Sequence, residues 1–195
     1  MAPDGFVAPD FSQPLDTDAV LAGIPDGAMM KGMFLEAMVS AAKQAGVTLP
    51  SARDAYLGFR SYPLREHCAL LIELARGLYP NETLRQGLRR LGRGAAGTML
   101  GSTLGRVTVG AADDAVEVIR QMARTYPLLA QPGHIEVVSA RPGRVVVALH
   151  DIHFFQDCHH VGVYEGALRV AKVDDPRVLI RPRGDALELA CDWRA

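Results

Sequence analysis

Nowhere does this sequence carry an apolar run near the roughly 20 residues a membrane-spanning helix needs, and its start, MAPDGFVAPDFSQPLDTD, lacks the apolar stretch of a signal peptide. A cytoplasmic protein with no membrane span is expected. There is no CxxC pair either. Cys68, Cys158 and Cys191 are odd in number and far apart, which suits a reducing compartment in which each thiol is a small buried hydrophobe. No GxSxG elbow and no HExxH helix occur, so two familiar hydrolytic signatures are missing. Excess positive charge is lacking too: 21 Lys and Arg against 22 Asp and Glu give a net charge of -1, and no field gathers nucleic acid or an anionic membrane.

What is present describes a folded chain. With 195 residues, 49% hydrophobic and 22% charged, it can bury one continuous core. Residues 1–14 hold three prolines and little periodicity and read as a mobile arm. Residues 15–195 read as a single α+β domain, with a helical half over 15–131 and a sheet half over 132–195. About five helices are predicted in the first half. Asp16 to Ile24 forms a short one. Met30, Met33, Phe34, Ala37, Met38, Ala41, Ala42 and Ala45 recur at helical spacing until Gly46 stops them. A third runs from Pro63 to Leu78, with His67 hydrogen-bonded at the core edge. Asn81 caps a fourth that carries Leu84, Leu88, Leu91 and Ala95, and a fifth starts at Ala112, with Asp113 and Asp114 at its positive end.

Within RQGLRRLGR, residues 85–93, the arginines read as the solvated side of that fourth helix. The glycines at 92, 94, 97, 101 and 105 weaken helix propensity, and close backbone packing is the expected compensation. Gly92, Gly94 and Gly97 match GxGxxG, but no strand precedes them, so a phosphate loop is not read there.

After Pro132-Gly133 the period changes. Two hairpins, His134 to His150 and Arg177 to Trp193, flank a helix from Cys158 to about Ala171. This ββαββ unit predicts a four-stranded, mainly antiparallel sheet.

The stretch HDIHFFQDCHHVG, residues 150–162, concentrates donor side chains. His153, Asp157, His159 and His160 form the candidate metal set, for zinc or non-haem iron. The strand pleat and the helical turn scatter them unless the loop at Phe155-Gln156 folds back. In the competing reading Asp157 caps the helix, His159 and His160 are solvated first-turn residues, Cys158 is inert, and Gly162 and Gly166 leave a bare strip that lets the helix approach the sheet. Gly162, Gly166 and Trp193 are then structural. Phe154, Phe155 and Tyr164, with Met33, Phe34 and Met38, are the candidate contacts for an apolar ligand or a partner.

Several pieces in order carry a resemblance: Pro25-Asp26-Gly27 before Met30-Lys31-Gly32-Met33-Phe34, then Tyr62-Pro63, Tyr79-Pro80, Leu88-Arg89-Arg90-Leu91-Gly92, Gly162-Val163-Tyr164-Glu165-Gly166 and the terminal Trp193. With these the chain resembles a paralogous family of uncharacterised myxobacterial proteins of roughly two hundred residues, over nearly all of its length after the arm. At the level of fold it is also similar to four-vinyl-reductase-type domains, haem–nitric-oxide-sensor relatives and Bet3-like trafficking-particle subunits. That resemblance implies a binding or sensory module, often dimeric, with a pocket between helices and sheet. The expected function is a non-enzymatic binding or regulatory module for a small apolar ligand or protein partner, self-associating as a homodimer and using no cofactor. The alternative is a metal-dependent enzyme or a metal or haem sensor built on the His150–His160 cluster, with haem itself not expected.

Overall fold

The structure is a computed structural model and describes residues 4–101 and 114–194. It is α+β. Helix α1 (Thr17–Ala22) starts where Asp16 accepts a hydrogen bond from the Ala19 amide at 2.9 Å. Strand β1 (Met29–Lys31) runs directly into α2 (Gly32–Ala45), which ends at Gly46 with φ 68°, a left-handed turn that glycine adopts without steric cost. Strand β2 (Ser61–Pro63) likewise leads into α3 (Leu64–Leu78). Helix α4 (Leu84–Gly101) opens on a reciprocal pair: Thr83 Oγ1 accepts from the Gln86 amide at 3.2 Å, and Gln86 Oε1 accepts from the Thr83 amide at 2.9 Å. The cap is therefore Thr83 and not Asn81, because a Thr-x-x-Gln box satisfies two orphan amides at once. Helix α5 (Ala115–Leu129) is capped by Asp114. Gly105, Ala112 and Asp113, read from the sequence as parts of helices four and five, lie outside the described residues. Among the described residues no helix is long and apolar enough to cross a membrane.

Two antiparallel sheets follow. The smaller joins β2, β1 and β3 (Ala130–Gln131) in that order and ties the starts of α2 and α3 to the end of α5. The larger has the order β4 (His134–Arg141), β5 (Arg144–His150), β7 (Ala186–Arg194), β6 (Asp174–Arg183), so the two hairpins join through their second strands. Both faces of β5 and β7 are covered. Val145, Val147, Leu149, Leu189 and Cys191 face the main core, while Val146 and Ala190 pack with Phe6 on the other side. Where the sequence reads an arm, Val7 and Ile180 exchange backbone hydrogen bonds of 2.9 and 2.8 Å. The Phe6 ring lies between the guanidinium groups of Arg144 and Arg181, 5.2 and 4.2 Å from its centroid.

Helix α6 (Val161–Val170) sits between this sheet and α4. A side chain at Gly162 or Gly166 would run into the carbonyls of Arg89 or Arg93, and one at Gly92 into the carbonyl of His159. The bare strip thus serves contact with α4, not with the sheet. Nor do the arginines of α4 form a solvated face. Arg85, Arg89 and Arg93 fall four apart on the flank of this seam, where Arg85 pairs with Asp157, and Arg89 and Arg93 hold the buried Glu165 at 2.9 and 2.7 Å. Glu165 lies 76 residues from Arg89, a separation that hides the pairing from local sequence patterns.

Candidate functional site

The histidine-rich stretch departs from regular geometry at its start. Strand β5 stops at His150, and both Asp151 (φ 53°) and Phe155 (φ 39°) adopt left-handed backbone. Such positions cost non-glycine residues on the order of 1 kcal/mol or more and cluster where function needs them. From Phe155 the chain enters a five-residue π-turn, Gln156–His160, closed by a 3.2 Å bond from the His160 amide to the Phe155 carbonyl. The wider turn rotates His159 and His160 inward, to 5% and 4% exposure. They are not solvated first-turn residues, and Asp157 does not cap the helix. Its carboxylate instead leaves the turn to meet Arg85.

Both histidines open onto a cavity of about 320 Å³. Phe34, Ala37, Met38 and Ala41 of α2 and Leu71, Leu74 and Leu78 of α3 make its apolar side. Leu91 and Ala95 of α4 and Met122 of α5 add to it, and Tyr126 of α5, Tyr164 of α6 and His67 of α3 complete the wall with the π-turn. Five buried polar atoms on this wall have no hydrogen-bond partner among the described residues: Nδ1 of His67, His159 and His160, and the hydroxyls of Tyr126 and Tyr164. Nearly all buried polar side-chain atoms in folded proteins are paired, so these atoms call for a partner in the cavity, either ordered water or a ligand.

The wall is electrically neutral around these atoms. Burial pushes the His67 imidazole down to about 3, with the neighbouring His160 adding to the effect. Burial also takes His160 down to about 4, partly opposed by the carbonyls of Phe155 and Phe154, and His159 well below its usual range. The same burial raises the hydroxyls of Tyr126 and Tyr164 well above theirs. Among the described residues one cation stands at the rim, the half-exposed Arg90. It pairs with Glu82 at 2.7 Å and lies over the Tyr79 ring at 5.1 Å.

Of the ligand-contact residues read from sequence, Phe34, Met38, Phe154 and Tyr164 lie on the cavity wall. Met33 packs outside it beside Gly58, and Phe155 is buried behind Phe154. The metal set is not brought together: His159 and His160 face the cavity, Asp157 faces Arg85 and His153 is half-buried elsewhere. Among the described residues no group of three His, Cys, Asp or Glu side chains is placed to hold a metal ion. The reason is visible in the rings. Phe154 stands among the imidazoles, 5.8 Å from His67, 6.0 Å from His159 and 4.7 Å from His160, centroid to centroid. Burial raises the Cys158 thiol to about 12. The sequence reading missed His67, Tyr126 and the aliphatic side of α3 as wall residues. His67 does fall on the face of α3 that carries Leu71, Leu74 and Leu78, which is the pattern that would have found it. Trp193 packs on the core, and its amide donates to the Gly143 carbonyl at 3.0 Å.

The sequence profile of a family described as "Protein of unknown function (DUF2378)" matches residues 26–194. No curated protein matches the chain. Among solved structures, an H-NOX protein from S. oneidensis in the Fe(II)NO ligation state is 16% identical, with 85% of this chain and 100% of that one covered at a TM-score of 0.63. The Fe(II) unliganded H-NOX protein from K. algicida is 12% identical, with 85% and 97% covered at 0.62. A structure from work on heme distortion in the H-NOX family is 13% identical, with 85% and 96% covered at 0.64. At these identities the likeness is one of fold.

Proposed function

Because this chain belongs to the family described as proteins of unknown function, DUF2378, and has the fold of the H-NOX domains, we propose that it is a sensor module that binds a small ligand in the cavity between its helices and the π-turn. The observation that carries the reading is the set of five unpartnered polar atoms on one largely apolar wall. A concave, largely apolar space with a few converging polar groups is the usual form of a small-molecule site. The chemistry of the wall suits binding without turnover. Among the described residues the wall offers no carboxylate, its imidazoles are held neutral far below neutral pH, and the thiol of Cys158 in the π-turn is far from ionising.

The fold neighbours are iron and heme proteins, which runs against the expectation from sequence that haem has no place here. A haem asks for an imidazole at its iron, a flat apolar slot, and cations or donors for its carboxylates. Unpartnered imidazole nitrogens are available. The other two requirements are not met. Phe154 packs against all three imidazoles, and Arg90, the cation among the described wall residues, is already paired with Glu82. The residues of this cavity therefore do not fit haem.

Native mass spectrometry of the purified chain tests the proposal, since it reports retained ligand, metal and oligomeric state together, including the self-association expected from the sequence. A stoichiometric small-molecule adduct lost in Leu91→Trp, which fills the cavity, is the expected result. An adduct that survives that substitution, or a chain that takes up no small molecule under any loading condition, refutes it.

A further inference from the structure

Resting on the cavity reading above, we infer that the ligand is an uncharged amphiphile, a hydrocarbon body with a single neutral hydrogen-bonding head such as a hydroxyl. The cavity divides by chemistry. Its α2 and α3 side is aliphatic and aromatic, apart from His67, whereas the π-turn side gathers His159, His160, Tyr126 and Tyr164, with the rings of Tyr126 and His160 6.3 Å apart. At about 320 Å³ the space is twice the roughly 150 Å³ that accepts a benzene ring in an engineered protein cavity, so it suits a medium-length alkyl chain.

The head is read as neutral because, among the described residues, nothing on the wall is free to answer a charge. An anion would need a cation, and the one among the described wall residues, Arg90, is half-exposed and already paired with Glu82 at the rim. A cation would need a carboxylate, and the described residues of the wall include none. Neutral imidazoles and tyrosine hydroxyls each hold both a donor and an acceptor function, so they satisfy a hydroxyl, which also does both. A charged head buried among them would remain unpaired, and that is far costlier than leaving a neutral group.

The experiment is calorimetric titration of the whole chain at neutral pH with decanol, decanoate and decylamine, together with an absorbance titration with hemin. Decanol binds at least about tenfold tighter than either charged analogue, and hemin gives no one-to-one complex with a bound-haem Soret band. Tyr164→Phe weakens decanol several-fold without lowering the melting temperature, because the hydroxyl removed has no partner in the free protein. Leu91→Trp abolishes binding. Decanoate or decylamine binding as tightly as decanol, or a one-to-one hemin complex, overturns the neutral-head inference and leaves the cavity reading standing. Failure of all three alkyl probes, or binding unchanged in Leu91→Trp, overturns both.

Discussion

Lowering the pH from about 7 to 5 should destabilise this protein through three buried imidazoles, before its carboxylates begin to protonate. His67, His159 and His160 stay neutral when folded because burial holds them below their ordinary value of 6.5, His160 at about 4 and His67 at about 3. In the unfolded chain they titrate normally. Below pH 6.5 the unfolded state therefore binds more protons than the folded one, so stability is present above that pH and drains away toward the folded values. Each imidazole loses about 2 kcal/mol between pH 7 and 5, or roughly 6 kcal/mol for three, a large part of a domain's usual 5–15 kcal/mol. Urea unfolding at half-unit steps of pH measures it. The slope near pH 5.5 approaches 1.4 kcal/mol per pH unit for each histidine, and His67→Leu removes one histidine's share. Stability that stays level from pH 7 to 5 would show that the three side chains are hydrated and chargeable, and the description of the cavity wall would be wrong.

Other outcomes follow from the same packing. Gly162→Ala drives a methyl group into the Arg89 carbonyl and costs about 1–3 kcal/mol, a drop of roughly 2–4 °C in Tm per kcal/mol, whereas Gly97→Ala, with open space beside it in an exposed helix position, gains about 0.5–1 kcal/mol. Thermal melts of the pair decide it, and the same sign for both would refute the seam. Glu165→Gln strips the charge held by Arg89 and Arg93, and because those arginines are near a third exposed the expected loss is about 1–3 kcal/mol in chemical unfolding. A neutral result would mean the pairs contribute little. Cys158, fully buried with its thiol raised to about 12, should resist iodoacetamide in the native protein and react once urea unfolds it, as peptide mapping would report; rapid native labelling would contradict this.

The α+β order, the two hairpins and the helix between them were readable because each has a clear period, near 3.6 or 2 residues. The small sheet escaped because strands of two or three residues carry no period at all. The bare strip on α6 was readable in kind, since Gly162 and Gly166 stand four apart, but its neighbour was not, since α4 comes beside it only through tertiary packing. The misplacement of His159 and His160 has a single local cause. One left-handed residue, Phe155, turns the expected α-helical start into a π-turn, and aromatic residues give no warning of that backbone conformation. Asp157 and the arginines of α4 were misread together, because each looks solvated until the other is brought beside it.

Phe6 and Val7, which precede the matched family region, have a protective consequence. Strand β6 is an edge of the larger sheet, and its backbone beside Ile180 is occupied by Val7, with Phe6 pressed onto the face beneath. A chain without Phe6 and Val7 would leave the β6 edge open at Ile180 and uncover the face of Val146 and Ala190, the template on which sheets of separate molecules stack into aggregates. Phe6 and Val7 are thus a guard against self-recruitment, a duty that the cavity does not share.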